Sequence, residues 1–249
     1  METKLIKKGD FIQVDYTGKL TDEGTVFDTT LNDVALNNGL NPSAKYKPVI
    51  ICVGDGYILQ TLEESLIGKE VGKHTFNLPA EAAFGKKNAK LLKLIPIKVF
   101  KKQNIMPHVG LEVNIDNAFG IVRTVSGGRV IVDFNHPLSS KNVTYEVDVK
   151  KIVTDDKDKL DAILSISGVH YDSVTVKDGE AMIVLEQEVP DQFKTLIEGQ
   201  AKIKTTIKSF DYVVKTRSSK TTGAPKQNVL SEAKPASAKP VNQVNTVKQ

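Results

Sequence analysis

The sequence predicts an α+β fold built mainly from short antiparallel strands with few helices. Three observations carry that expectation. Apolar and polar residues alternate around Ile12, Val14 and Tyr16, and again at Val143, Tyr145, Val147 and Val149, the period-two pattern of half-buried strands. The stretch Val53 to Glu64 passes from a β-rich run through a glycine-flanked turn into a short helix. Residues 158–214 then read as helix, two strands, helix and strand, the order of a small α+β unit.

Taken in order, residues 9–17 form the first strand, and Asp22-Glu23-Gly24 turns the chain into a second at Thr25–Thr30. Residues 31–48, with Asn37-Asn38-Gly39, Pro42 and Pro48, read as an irregular surface excursion. In the helix at 58–66, Ile58, Leu62 and Leu66 recur at i, i+4 and i+8 with Leu59 beside them, so one face is apolar. Gly68 stands where a left-handed C-terminal cap is expected. Val71–Pro79 is a further strand, stopped by its proline. From Lys86 to Phe100 apolar residues mix with lysines in no clean period. Three short strands follow (111–115, 118–125, 130–134), the last two joined by the hairpin turn Ser126-Gly127-Gly128-Arg129. In the final unit, a helix is expected at 158–167, a hairpin at 174–185, a helix at 192–198 and a long strand at 201–214.

A length of 249 residues with 40% hydrophobic and 26% charged residues suits a globular chain of two or three compact units. No apolar run approaches the roughly 18 residues that cross a bilayer, and Met1–Lys8 lacks the apolar core of an export signal. The expected location is cytoplasmic. A single cysteine, Cys52, excludes an intrachain disulfide. The net charge of +4 is concentrated in the tail: from Lys215 onward seven basic residues face one acid, which leaves −2 on the rest. A basic nucleic-acid face on the folded body is therefore not indicated. The tail itself, 215–249, is rich in Ser, Thr, Pro, Ala, Asn, Gln and Lys and is expected to be disordered.

Val14-Asp15-Tyr16-Thr17-Gly18, Thr25-Val26-Phe27-Asp28, Val53–Glu64, Ala83-Phe84-Gly85 and the strand holding Tyr145 resemble, in order and spacing, the FKBP-type peptidyl-prolyl isomerases. Asn135-His136-Pro137-Leu138, with an insertion after Gly85, is similar to the SlyD-like branch, and the added C-terminal unit resembles its long archaeal form. The resemblance implies an antiparallel half-barrel around a short helix, an inserted small β domain in the flap and a C-terminal α+β domain. The corresponding boundaries are 1–85 with 140–153 for the isomerase, 86–139 for the insert and 154–214 for the last domain.

It also implies a proline pocket lined by Tyr16, Phe27, Asp28, Ile58, Leu59, Leu62, Phe84 and Tyr145. Taken singly, Tyr16 and Tyr145 read as core aromatics and Asp28 as a solvated turn residue; their combined spacing favours the pocket. Leu62 stands where many members have tryptophan, and Phe84 where tyrosine is usual. Isomerase activity on unfolded proteins and proline peptides would require no cofactor and no metal. His74, His108, His136 and His170 lack ligand spacing. For the insert, the resemblance implies a chaperone surface, with Leu91, Leu92, Leu94, Ile95, Val99, Phe100, Ile105 and Met106 as contact candidates. The same residues equally suit that domain's own core. The rival function is a non-catalytic holdase with a vestigial pocket. Two further partners are weighed: a polyanion such as the ribosome for the tail, and a second copy of the chain through 154–214.

Overall fold

The computed structural model describes residues 4–215 and a strand at Asn245–Val247. The remainder of the tail, with its expected disorder and polyanion contact, lies outside the described residues. In chain order the first unit contributes β1 (Phe11–Leu20), β2 (Val26–Thr29), α1 (Asn32–Asn37), β3 (Val49–Cys52), α2 (Gln60–Leu66) and β4 (Gly72–Leu78). An inserted unit follows with β5 (Leu92–Pro96), α3 (Ile97–Lys102), β6 (Glu112–Ile115), β7 (Ala118–Ser126) and β8 (Arg129–Asp133). The chain returns to the first unit through β9 (Val143–Val153). It ends in α4 (Asp156–Ile166), β10 (Tyr171–Lys177), β11 (Glu180–Leu185), α5 (Asp191–Lys204) and β12 (Ser209–Val214).

β1 is the organising strand of the first sheet. Its whole length pairs antiparallel with β9; its other edge is shared between β3, opposite Phe11–Val14, and β2, opposite Thr17–Lys19. β4 adds to the far side of β9. The apolar face of α2 closes one side of this sheet: Leu62 and Leu66 are fully buried in one core with Ile12, Val14, Val143, Tyr145 and Val147. Gly68 ends the helix with φ +79°, the left-handed value that a side chain disfavours.

The insert sheet runs β6-β7-β8-β5, and Gly127 and Gly128 (φ +55° and +76°) supply the paired left-handed residues that a tight hairpin needs between β7 and β8. Its core is Ile95, Phe100, Val113, Ile115, Val122, Val130 and Val132. In the last unit, β11 lies between β10 and β12; β11 and β12 are parallel and α5 makes the crossover. This unit shares a buried core with the first: Phe11, Cys52 and Val153 pack with Leu160, Ile163, Leu164 and Ile183. An ion pair from Lys204 on α5 to Asp55 adds a polar tie across the seam.

Four expectations need correction. The stretch 31–48 is not wholly irregular, because Asn32–Asn37 is helical and buries Ala35. The helix expected at 192–198 continues to Lys204, since Ile197 and Ala201, four residues apart, both point into the core. The last strand therefore begins only at Ser209. Ile95 and Phe100, offered as client contacts, are 3% and 0% exposed and belong to the insert's own core. The tail is not uniformly disordered: Asn245–Val247 forms a strand, β13, parallel to β6.

Candidate active site

The site forms where β1, β2, β9 and the start of α2 converge. Tyr16 and Tyr145 face each other from neighbouring strands, ring centroids 6.2 Å apart. Phe27, carried across by β2, meets Tyr145 edge-on at 5.8 Å and Phe84 edge-on at 5.9 Å. Such tilted contacts favour the ring quadrupoles and hold the walls at fixed angles. Gly18 makes this approach possible, because a Cβ there would stand 2.8 Å from the Phe27 ring and 2.9 Å from the Tyr145 ring. Leu62 and Tyr145 are buried; Tyr16, Phe27, Ile58, Leu59 and Phe84 are half-buried around them. All seven apolar or aromatic residues expected at the site thus lie together, and Asp28 joins them.

The Tyr16 hydroxyl donates to the Asp28 carboxyl at 3.1 Å. Burial pushes the Asp28 carboxyl up to about 6, against the opposing pull of that hydrogen bond. Burial, reinforced by the charge of Asp28, raises the hydroxyls of Tyr16 and Tyr145 above the ordinary phenol range, so both remain protonated donors. β2 is fixed by buried hydroxyls: Thr17 and Thr29 share a hydrogen bond at 2.8 Å, and Thr30 donates to Asp15 at 2.7 Å.

Glu63 was not singled out from the sequence and is the chief structural element of the loop before α2. Fully buried, its carboxyl accepts the backbone N–H groups of Gly54 (2.8 Å), Gly56 (3.0 Å) and Ile58 (2.8 Å). Leu59, which caps α2, makes no N–H hydrogen bond within the described residues. The signal for Glu63 was an acid in the first turn of a helix that follows two glycines whose amides need an acceptor. His136, part of the Asn135–Leu138 motif in the sequence, also belongs to the site, where sequence reasoning did not place it. Its imidazole stacks flat on Phe84, with 4.7 Å between centroids. Ser139 and Ser140 bond the carbonyls of Phe84 and Gly85, tying the same wall to the strand return from the insert.

Of the insert residues expected to meet clients, Leu91, Leu92, Leu94 and Met106 are exposed, Met106 by 83%, while Val99 and Ile105 are half-buried. Among the described residues no cluster of His, Cys, Asp and Glu suits a metal ion, and no helix is long and apolar enough to cross a membrane.

Two family models match successive parts of residues 2–138. The FKBP-type peptidyl-prolyl cis-trans isomerase family matches residues 2–101, and the family described as FKBP26, IF domain, matches residues 93–138. A short-type peptidyl-prolyl cis-trans isomerase of Methanocaldococcus jannaschii is 33% identical over 150 residues, covering 59% of this chain and 94% of that protein. The chain belongs to the FKBP-type peptidyl-prolyl cis-trans isomerases. Two further members of this family are similar to it. The FKBP-type 16 kDa isomerase of Escherichia coli is 32% identical over 59% of this chain and 93% of its own length. SlyD of Vibrio cholerae is 30% identical over 43% of this chain and 55% of its own. As an FKBP-type isomerase of the SlyD-like kind, the protein catalyses cis-trans interconversion at prolyl peptide bonds.

Proposed function

We propose that the aromatic cluster around Leu62 receives the proline ring and speeds rotation of the preceding amide by stripping it of water. Rotation breaks no σ-bond, but amide resonance sets a barrier of about 18–20 kcal/mol, so the unaided step takes roughly 10–100 s. Water bonded to the amide oxygen favours the planar, charge-separated form; an apolar environment favours the twisted one. Lowering the barrier by about 5 kcal/mol is worth several thousandfold. In this reading Leu62 floors the proline, and Tyr16, Phe27 and Tyr145 wall it. Ile58 and Phe84 close the rim. The free N–H of Leu59 holds a substrate carbonyl, and Asp28 orients the Tyr16 hydroxyl. The observation that carries the reading is the Tyr16–Asp28 hydrogen bond beside the chain of tilted ring contacts from Tyr16 through Tyr145 and Phe27 to Phe84, in the cluster that buries Leu62.

The insert, on the same reading, is a chaperone surface that captures unfolded chains. Leu91, Leu92, Leu94 and Met106 are its contact set, because large apolar side chains left in solvent mark interaction sites. The test is removal of 88–134 with a short bridging turn, which leaves His136 and Ser139 in place against Phe84. Activity on short proline peptides is expected to persist, and acceleration of proline-limited refolding of whole proteins to fall by about tenfold or more. Equal loss on both substrates contradicts this division of labour.

A further inference from the structure

We infer that the seam between the isomerase unit and the C-terminal unit is a second substrate-binding surface. It would hold an extended, apolar stretch of the client chain beside the proline; the inference rests on the proline-site reading above. A hollow of about 610 Å³ opens along this seam, with Tyr16, Pro48, Ile50 and Ile58 on one side and Ala162 and Ile166 of α4 on the other. Tyr16 and Ile58 also belong to the aromatic site, so the two surfaces are continuous. A second hollow of about 430 Å³ is lined by Tyr57, Ile166, Phe193 and Leu196, and meets the first at Tyr57 and Ile166.

The path leads outward from the proline site over side chains that no described residue covers. Ile166, Phe193 and Leu196 are 47%, 51% and 57% exposed. Exposure of three large apolar residues along one valley marks an interaction surface rather than scattered surface leucines. The walls are held in place: the two units share one core, and Lys204 pairs with Asp55 beside the valley. β3 is hydrogen-bonded as a strand only to β1 among the described residues, so its outer edge, at Val49–Ile51 in the wall of the first hollow, has backbone groups to offer an extended chain.

The acids on the rim do not recruit a basic segment. Asp161 is paired with Lys157 at 2.7 Å and Asp158 with Lys151 at 3.7 Å. What the valley presents is an apolar floor whose acids are paired, with Lys47 at its rim unpaired among the described residues, which suits the hydrophobic flanks of a prolyl bond in an unfolded protein.

The test uses the full-length protein with Ile166→Glu and, independently, Leu196→Glu, each checked by circular dichroism and thermal melting. Both sites are solvent-facing, so either variant alone suffices should the other fail to fold. Isomerase kinetics are compared on a four-residue proline peptide and on the same peptide lengthened by six apolar residues on one side or the other. Wild type is expected to show a KM for one lengthened peptide about tenfold below that for the short one. Both variants are expected to lose that advantage and keep full activity on the short peptide. The inference is overturned if length confers no advantage in wild type, if the variants keep the advantage, or if they lose activity on the short peptide as well. Sedimentation of the same three proteins covers the other occupant. A dimer that Leu196→Glu dissociates, with the peptide advantage intact, assigns the valley to a second copy of the chain and overturns the inference.

Discussion

The Phe84 ring lies face to face with the imidazole of His136, with 1° between their planes. One wall of the aromatic site is therefore supported by the segment through which the chain returns from the insert. His136 has its protonation suppressed by burial. Its folded-state pKa is lowered, so the contribution of the stack to stability is complete above the ordinary histidine range near 6.5 and is lost as pH falls below it. The expected outcome is that His136→Phe, which keeps a flat ring without a titrating group, abolishes the part of the stability loss that wild type shows on acidification from about pH 7 to 5. Urea unfolding at several pH values measures it.

Asp28 has the opposite sign. Its carboxyl is raised from 3.8 to about 6, so the folded state binds a proton that the unfolded chain has already lost. Its contribution is complete below about pH 4 and disappears as pH rises through about 6. Relative to Asp28→Asn, wild type is expected to lose at most about 3 kcal/mol across that window and nothing further above it. Paired unfolding curves at pH 4, 5, 6 and 7 check the direction.

Removing the Glu63 carboxyl leaves three amides of the loop at 54–58 without their acceptor. Glu63→Ala is expected to destabilise the protein by about 3 kcal/mol, since each buried donor left unpaired costs roughly 1–3 kcal/mol before relaxation. Because the loop also positions Leu59, KM for a proline peptide should rise together with the loss of stability. Glu63→Gln, which retains one acceptor oxygen, should recover part of both.

Gly18→Ala places a methyl group against Phe27 and Tyr145 at distances that neither ring tolerates. The wall must shift, at a cost of about 1–3 kcal/mol. Activity should fall by about tenfold or more, because a displacement of ~1 Å at a catalytic surface is felt strongly. A structure of the variant with both rings unmoved contradicts the prediction.

Much of this arrangement was legible in the residues. Tyr16 and Tyr145 stand on strands whose period-two alternation is plain, Phe27 on a short strand after a turn, and Leu62 on the apolar stripe of α2, so their spacing carried the site. Glu63 was not legible because its role depends on a turn folding back over it, a contact that no periodicity announces. Ala201–Lys204 was read as strand because Ile203 alternates with lysines; burial of Ile197 and Ala201 decides for helix. In the insert, Leu94 and Ile95 are neighbours of equal hydrophobicity, yet β5 turns one outward and the other in. Only the pairing of β5 with β8 settles which is which.

The most direct measurement is kcat/KM on a short proline peptide for wild type beside Asp28→Ala and Tyr145→Ala, with folding verified for each. Loss of the Tyr16–Asp28 hydrogen bond is expected to cost about tenfold, and loss of the Tyr145 wall, which readmits water, more than that. Undiminished activity in a folded Tyr145→Ala protein would contradict the claim that a dry aromatic wall carries the catalysis.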